Sequence, residues 1–92
     1  MIVDFACKLT KALYEGETPR PFRAFASIAL RKLDMLDAAT KVEDLRIPPG
    51  NRLKALSGNR NGQYSIRIND QWRICFEWRD SAAWHVEIVD YH

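Results

Sequence analysis

The hydrophobic period of this chain changes once, and the change dictates the class of fold. From Phe22 to about Ala39 the apolar residues Phe22, Phe25, Ala26, Ala29, Leu33 and Leu36 recur at intervals of three and four, with Arg23, Ser27, Arg31 and Asp34 opposite them. That spacing lines one face of an α-helix. Past residue 60 the interval drops to two. Tyr64, Ile66 and Ile68 alternate with Ser65 and Arg67; Trp72, Ile74, Phe76 and Trp78 with Arg73, Cys75 and Glu77; Trp84, Val86 and Ile88 with His85 and Glu87. Successive strand side chains point to opposite faces, so these are three half-buried strands with Trp72, Trp78 and Trp84 on the core side. The strands are expected at about 63–68, 72–78 and 84–90, with shorter ones at 2–5 and 52–56. Helices are expected at about 7–15, stopped by Gly16, and at about 21–39. Ninety-two residues hold a single core. The expected architecture is one α+β domain over residues 1–92, with two N-terminal helices packed on one face of a mostly antiparallel, curved sheet.

The link Ile68-Asn69-Asp70-Gln71-Trp72 decides which strand residues face each other. A two-residue loop would set Ile66 opposite Arg73 and bring a guanidinium onto the apolar face. A three-residue loop sets Ile68 opposite Trp72, Ile66 opposite Ile74 and Tyr64 opposite Phe76, which keeps that face intact. The same register sets Arg67 opposite Arg73 on the other face. Like charges so placed destabilise by a few tenths to about 1 kcal/mol, so a compensating charge is expected. A bound polyanion is one candidate and a carboxylate such as Glu77 the other.

The net charge of +2 conceals where the charge lies. Residues 1–45 carry seven basic and seven acidic groups, whereas residues 46–79 carry Arg46, Arg52, Lys54, Arg60, Arg67, Arg73 and Arg79 against Asp70 and Glu77 alone. Six of those seven cations are arginines, whose planar fork grips a phosphate at two points. A solvated basic surface is the plain alternative. With Lys54 and the two facing arginines on one side of the sheet, Arg60 in the turn 57–62, and Tyr91 on the same side as Glu87, the open face becomes a cationic, aromatic-edged concavity. Such a surface suits single-stranded RNA.

Other classes of function find little support. No apolar run approaches the roughly 20 residues that span a bilayer, and Met1 to Asp4 lacks the basic flank of a signal peptide, so no membrane is involved and a cytoplasmic location is expected. Cys7 and Cys75 read as reduced, small buried hydrophobes, and no His, Cys or carboxylate cluster has metal-ligand spacing. No metal and no small-molecule cofactor is expected.

The strings Pro48-Pro-Gly-Asn-Arg-Leu53, Leu56-Ser-Gly58, Gly62-Gln-Tyr-Ser-Ile66, Asn69-Asp-Gln-Trp-Arg-Ile-Cys-Phe76 and Val86-Glu-Ile-Val-Asp-Tyr-His92 resemble the HigB-type plasmid-maintenance killer proteins, including the GraT toxins. The resemblance spans the whole chain. It implies the RelE/ParE toxin superfamily, with its small RelE-like microbial RNase fold, a ribosome-dependent mRNA endoribonuclease activity, and a HigA-like helix-turn-helix antitoxin. It also implies metal-free cleavage by the ribose 2′-hydroxyl. Carried over by position, the family's functional residues match Arg73, Arg67 or its neighbour, Asp90, Tyr91 and His92. Well-known relatives place a His and a Lys in the stretch corresponding to Leu53 to Gly58, where this chain has Lys54 and Ser57. That departure leaves the proton acceptor open.

Cleavage of that kind needs a base for the 2′ proton, cations for the phosphoryl oxygens and an acid for the leaving oxygen. Arg73 and Arg67 suit charge stabilisation, since guanidinium holds its proton. Lys54 is a candidate base, because neighbouring cations disfavour its charged form. Tyr91 can stack on a base, orient the 2′-hydroxyl or serve as acid. His92 titrates near neutrality but ends the chain. Asp90 can orient Arg73 or Tyr91, or form a simple ion pair. Arg46, Arg52 and Arg60 are expected to bind RNA or ribosome, and His85 to make a structural hydrogen bond. Two non-cleaving functions compete: inhibition of gyrase, as in the ParE branch, and disturbance of ribosome maturation.

Overall fold

A computed structural model describes residues 1–91. It contains α1 (Lys8–Tyr14), α2 (Ala26–Ala38), β1 (Lys54–Ala55), β2 (Gln63–Arg67), β3 (Trp72–Arg79) and β4 (Ala82–Asp90). The strands form one sheet in the order β1-β2-β3-β4, every neighbour antiparallel. Both helices cover one face. Leu13, Phe22, Phe25, Ala29, Leu33 and Leu36 meet Ile66, Ile74, Phe76, Val86 and Ile88 there in a single buried cluster. This is the α+β arrangement that the change of period requires.

The β2–β3 register sets Tyr64 opposite Phe76, Ile66 opposite Ile74 and Arg67 opposite Arg73. Asn69 fixes it. Its side-chain oxygen accepts the backbone N–H of Gln71 and of Trp72, both at 2.9 Å, while the Ile68 N–H reaches the Trp72 carbonyl at 2.9 Å. An Asx turn of this kind supplies the three-residue loop from within. The β3–β4 turn is tighter. Asp80 and Ser81 both have positive φ, at 53° and 57°, as a two-residue type I′ hairpin demands, and pairing therefore starts at Ala82 rather than at residue 84.

Several element boundaries differ from the pattern-based reading. The segment 21–39 is helix only from Ala26; Arg20–Phe25 forms a 3₁₀ helix. In a 3₁₀ helix residues three apart eclipse, which lets Phe22 and Phe25 both bury against Trp72, with ring centroids 5.7 and 5.2 Å away. Residues 2–5 make two isolated parallel bridges, Ile2 to Ala83 and Phe5 to Val86, because β4 bulges between the two points of contact. The strand expected at 52–56 shrinks to Lys54–Ala55, since Arg52 takes a left-handed backbone with φ 47° and Gly58–Arg60 turns into a 3₁₀ helix.

The bulge also changes a face. Cys75 pairs with Glu87 but Glu77 pairs with Trp84, so one extra residue lies on β4 between them, at a position where His85 has φ 54°. A bulge reverses the alternation beyond it. Trp84 consequently shares the face of Glu77, under the Arg79 guanidinium at 4.1 Å from its ring, and its indole N–H donates to the Arg79 carbonyl at 3.1 Å. Of the three tryptophans expected in the core, Trp72 and Trp78 pack against it and Trp84 does not. Cys75 is fully buried, whereas Cys7 is half-buried; both thiols are free. No helix among the described residues is long and apolar enough to cross a membrane.

Candidate active site

The helix-free face of the sheet carries Ser65, Arg67, Arg73, Cys75 and Glu87, with Lys54 opposite Ser65 at one edge. The segment from Lys54 to Arg60 rises over this face, and Tyr91 follows β4 along its other side. Between them lies a cleft of about 300 Å³ lined by Lys54, Ala55, Leu56, Ser57, Asn59, Arg60 and Tyr91. Lys54 and Tyr91 are both exposed there. The Tyr91 backbone is tied down by its N–H, which donates to the Gln71 carbonyl at 2.6 Å.

The arginines differ in what surrounds their charge. Arg60 Nη1 donates to Glu87 Oε1 at 2.9 Å and to Gln63 Oε1 at 3.0 Å. Its pKa is raised, chiefly by the Glu87 hydrogen bond. Arg67 is paired with Asp70, so the carboxylate that relieves the Arg67–Arg73 repulsion is Asp70 and not Glu77. Glu77 lies instead 3.8 Å from His85 Nε2 and 4.0 Å from Arg79 Nε. Arg73 has a different environment. Its Nε donates to Ser65 Oγ at 2.8 Å, and its Nη2 to the backbone carbonyls of Arg52 at 2.7 Å and Ser65 at 3.4 Å. Among the described residues no carboxylate pairs with it. Burial is the main cause lowering its pKa, while Cys75 and Tyr91 act in the opposite direction. Arg73 is thus a partly desolvated cation fixed by neutral acceptors, the arrangement that makes a fixed charge most effective on an incoming anion.

The remaining expected site residues separate. Tyr91 stands in the electrostatic surroundings of both Arg60 and Arg73. Arg52 is exposed and contributes its carbonyl to Arg73. Arg46 ends the short 3₁₀ helix Val42–Arg46, exposed and outside the cleft lining. Asp90 does not meet Arg73. It stands opposite Trp72, on the other face from Arg73, and accepts a hydrogen bond from Gln71 Nε2 at 3.0 Å. Strand parity alone would have shown this, since 90 and 91 point opposite ways. His92 lies outside the described residues. His85 makes structural contacts: its N–H donates to Asp4 Oδ1 at 2.6 Å and its Nδ1 lies 3.2 Å from Asp4 Oδ2.

Ser65 and Glu87 join the site with no motif in the sequence to mark them. Ser65 reads there as a polar member of an alternating strand, yet the register that opposes Arg67 to Arg73 puts it diagonal to Arg73. Among the described residues no group of three or more His, Cys, Asp or Glu side chains is arranged to hold a metal ion.

With this geometry, the comparisons with known proteins converge. The family model described as RelE-like toxin of type II toxin-antitoxin system HigB matches residues 4–92. The chain belongs to the HigB-like toxins. Among curated relatives, Toxin HigB-1 of Vibrio cholerae is 41% identical over 85 residues, 90% of each chain. Endoribonuclease HigB of Proteus vulgaris is 33% identical over 93 residues, the full length of both. An uncharacterized protein of Haemophilus influenzae is 41% identical over 56 residues, 61% of this chain and 55% of its own. As a HigB-like toxin of a type II system, the protein has an antitoxin as its partner.

Proposed function

We propose that this toxin is an endoribonuclease that cuts mRNA on the ribosome, using the cleft beside Arg73. The observation that carries the reading is the Arg73 guanidinium, un-neutralised among the described residues and held beside a cleft whose wall bears Lys54 and Tyr91. The full-length similarity to a protein named an endoribonuclease supports it.

In this reading the ribose 2′-oxygen attacks the adjacent phosphorus. The 2′ oxygen–phosphorus bond forms, the bond to the 5′ oxygen breaks, and the products are a 2′,3′-cyclic phosphate and a 5′-hydroxyl. Lys54 takes the 2′ proton. Arg73 stabilises the charge that builds on the non-bridging oxygens, with Arg67 as its outer neighbour. Tyr91 orients the 2′-hydroxyl or protonates the 5′ oxygen, and His92 is the other candidate acid. Arg52 binds the flanking backbone, Arg60 lines the cleft wall with its charge largely spent on Glu87, and Arg46, farther off, fits a ribosomal contact. The chemistry uses side chains alone. The partner that silences the toxin is a HigA-like helix-turn-helix antitoxin, and a target on translating ribosomes places the action in the cytoplasm.

The test is induced expression followed by sequencing of RNA 5′ ends, with and without translating ribosomes. Cuts within translated codons, present only with ribosomes and abolished by Arg73→Ala at unchanged circular dichroism, are expected. Growth arrest with intact transcripts would overturn the reading in favour of a non-cleaving block of gyrase or of ribosome maturation.

A further inference from the structure

Arg60, Arg67 and Arg73 are restrained in two different ways. Arg60 and Arg67 are each held by a carboxylate, Glu87 and Asp70, which fixes orientation at the expense of net charge. Among the described residues Arg73 is oriented through dipoles only. Two of the three acceptors belong to Ser65, which is fully buried and sits diagonal to Arg73 on the neighbouring strand. The third is the Arg52 carbonyl, aimed inward by the left-handed backbone at that residue.

We propose that Ser65 is a positioning residue for cleavage: its hydroxyl and carbonyl, with the Arg52 carbonyl, hold the Arg73 guanidinium in one orientation without cancelling its charge. This rests on the reading of Arg73 as the phosphate-stabilising cation. A guanidinium donates through a planar fork, so its usefulness to a phosphoryl group depends on where that plane lies. The Nε to Oγ bond sets the plane, and the two Nη2 bonds set the tilt. Among the described residues Nη1 has no acceptor, which leaves it for the substrate. Arginine on a flexible stem would otherwise sample many rotamers and meet the transition state in the productive one only part of the time.

The experiment uses the complete protein and mRNA in a purified translation system. Ser65→Ala is expected to lower the rate of cleavage at saturating ribosomes by roughly 10- to 100-fold, with the half-saturating concentration changed less than about twofold. A slowly exchanging Arg73 Nε–H signal in the nuclear magnetic resonance spectrum is expected in the parent and lost in Ser65→Ala, with backbone dispersion retained. Lysine lacks Nε–H, so in an Arg73→Lys background Ser65→Ala should cost nothing further. Ser65→Thr, which keeps the hydroxyl, should recover the rate and the signal. Four outcomes would overturn the proposal: a parental rate in Ser65→Ala, a persistent Nε–H signal, a purely half-saturation effect, or a loss that adds fully to Arg73→Lys. Unimpaired cleavage by Arg73→Ala would instead remove Arg73 from the chemistry and the basis of the proposal with it, a result separable from any of these.

Discussion

At the scale of single residues, burial divides groups that look alike in sequence. Arg73 and Arg60 are both strand-face or rim cations, yet burial depresses the pKa of the first and a carboxylate raises that of the second. Cys75 lies beside them. Its thiol is pushed up, mostly by burial and further by Glu87, with Arg60 and Arg73 opposing. The folded thiol therefore keeps its proton to a higher pH than the thiol of the unfolded chain. A group of this sign contributes stability that is fully present below the ordinary thiol range and is lost as pH rises through the folded value. The urea midpoint of the parent should consequently fall more steeply between pH 8 and pH 10 than that of Cys75→Ala. Iodoacetamide at pH 8.5 should label one thiol, Cys7, in the native protein and both in urea. Equal slopes and two native labels would show that Cys75 is accessible.

At the scale of elements, what alternation and turn chemistry decide was legible, and what a distant residue decides was not. The helix face, the three long strands and the Arg67–Arg73 opposition follow from periods of 3.6 and 2 and from a loop whose Asn69 closes it locally. The His85 bulge is different. Its positive φ is held by Asp4, 81 positions away, whose carboxylate accepts the His85 N–H. No window on β4 contains that partner, so alternation alone runs past the bulge and points Trp84 at the core. The Arg73 clamp was half-legible, since register places Ser65 but not the left-handed Arg52. The loop bearing Arg52 is itself pinned by Asn51, fully buried, which donates to the Leu45 carbonyl at 3.1 Å and accepts from Lys32. The face assignment is testable. Trp84→Ala should cost about 0.5–1 kcal/mol, the loss of an exposed cation–π contact. Trp72→Ala, emptying the space between Phe22 and Phe25, should cost about 3 kcal/mol or more. Urea unfolding followed by circular dichroism measures both, and equal costs would return Trp84 to the core.

At the scale of the whole molecule, a nearly neutral chain presents one cationic face because its acids and bases are segregated, with the net charge of +2 giving little hint of it. Not all of that face is available to a polyanion. Arg60 and Arg67 are already paired, whereas among the described residues Arg52, Lys54 and Arg73 have no carboxylate partner. Each unpaired cation that neutralises a phosphate of a single strand releases condensed counterions, giving a slope of about −0.7 per contact in log affinity against log salt. Three contacts predict a slope of about −2 for a non-cleavable, 2′-deoxy oligonucleotide, whereas five would give about −3.5. Glu87→Gln separates the two cases. It retains a hydrogen-bond acceptor for Arg60 but removes the negative charge, so the slope should steepen by about 0.7 and affinity should rise. Arg60→Ala in the parent should leave the slope almost unchanged, because its charge is largely spent on Glu87. The same substitution in the Glu87→Gln protein should flatten the slope again. A steep parental slope that Arg60→Ala alone reduces would mean that RNA binding opens the Arg60–Glu87 pair, and that the polyanion outcompetes the carboxylate for the rim of the cleft.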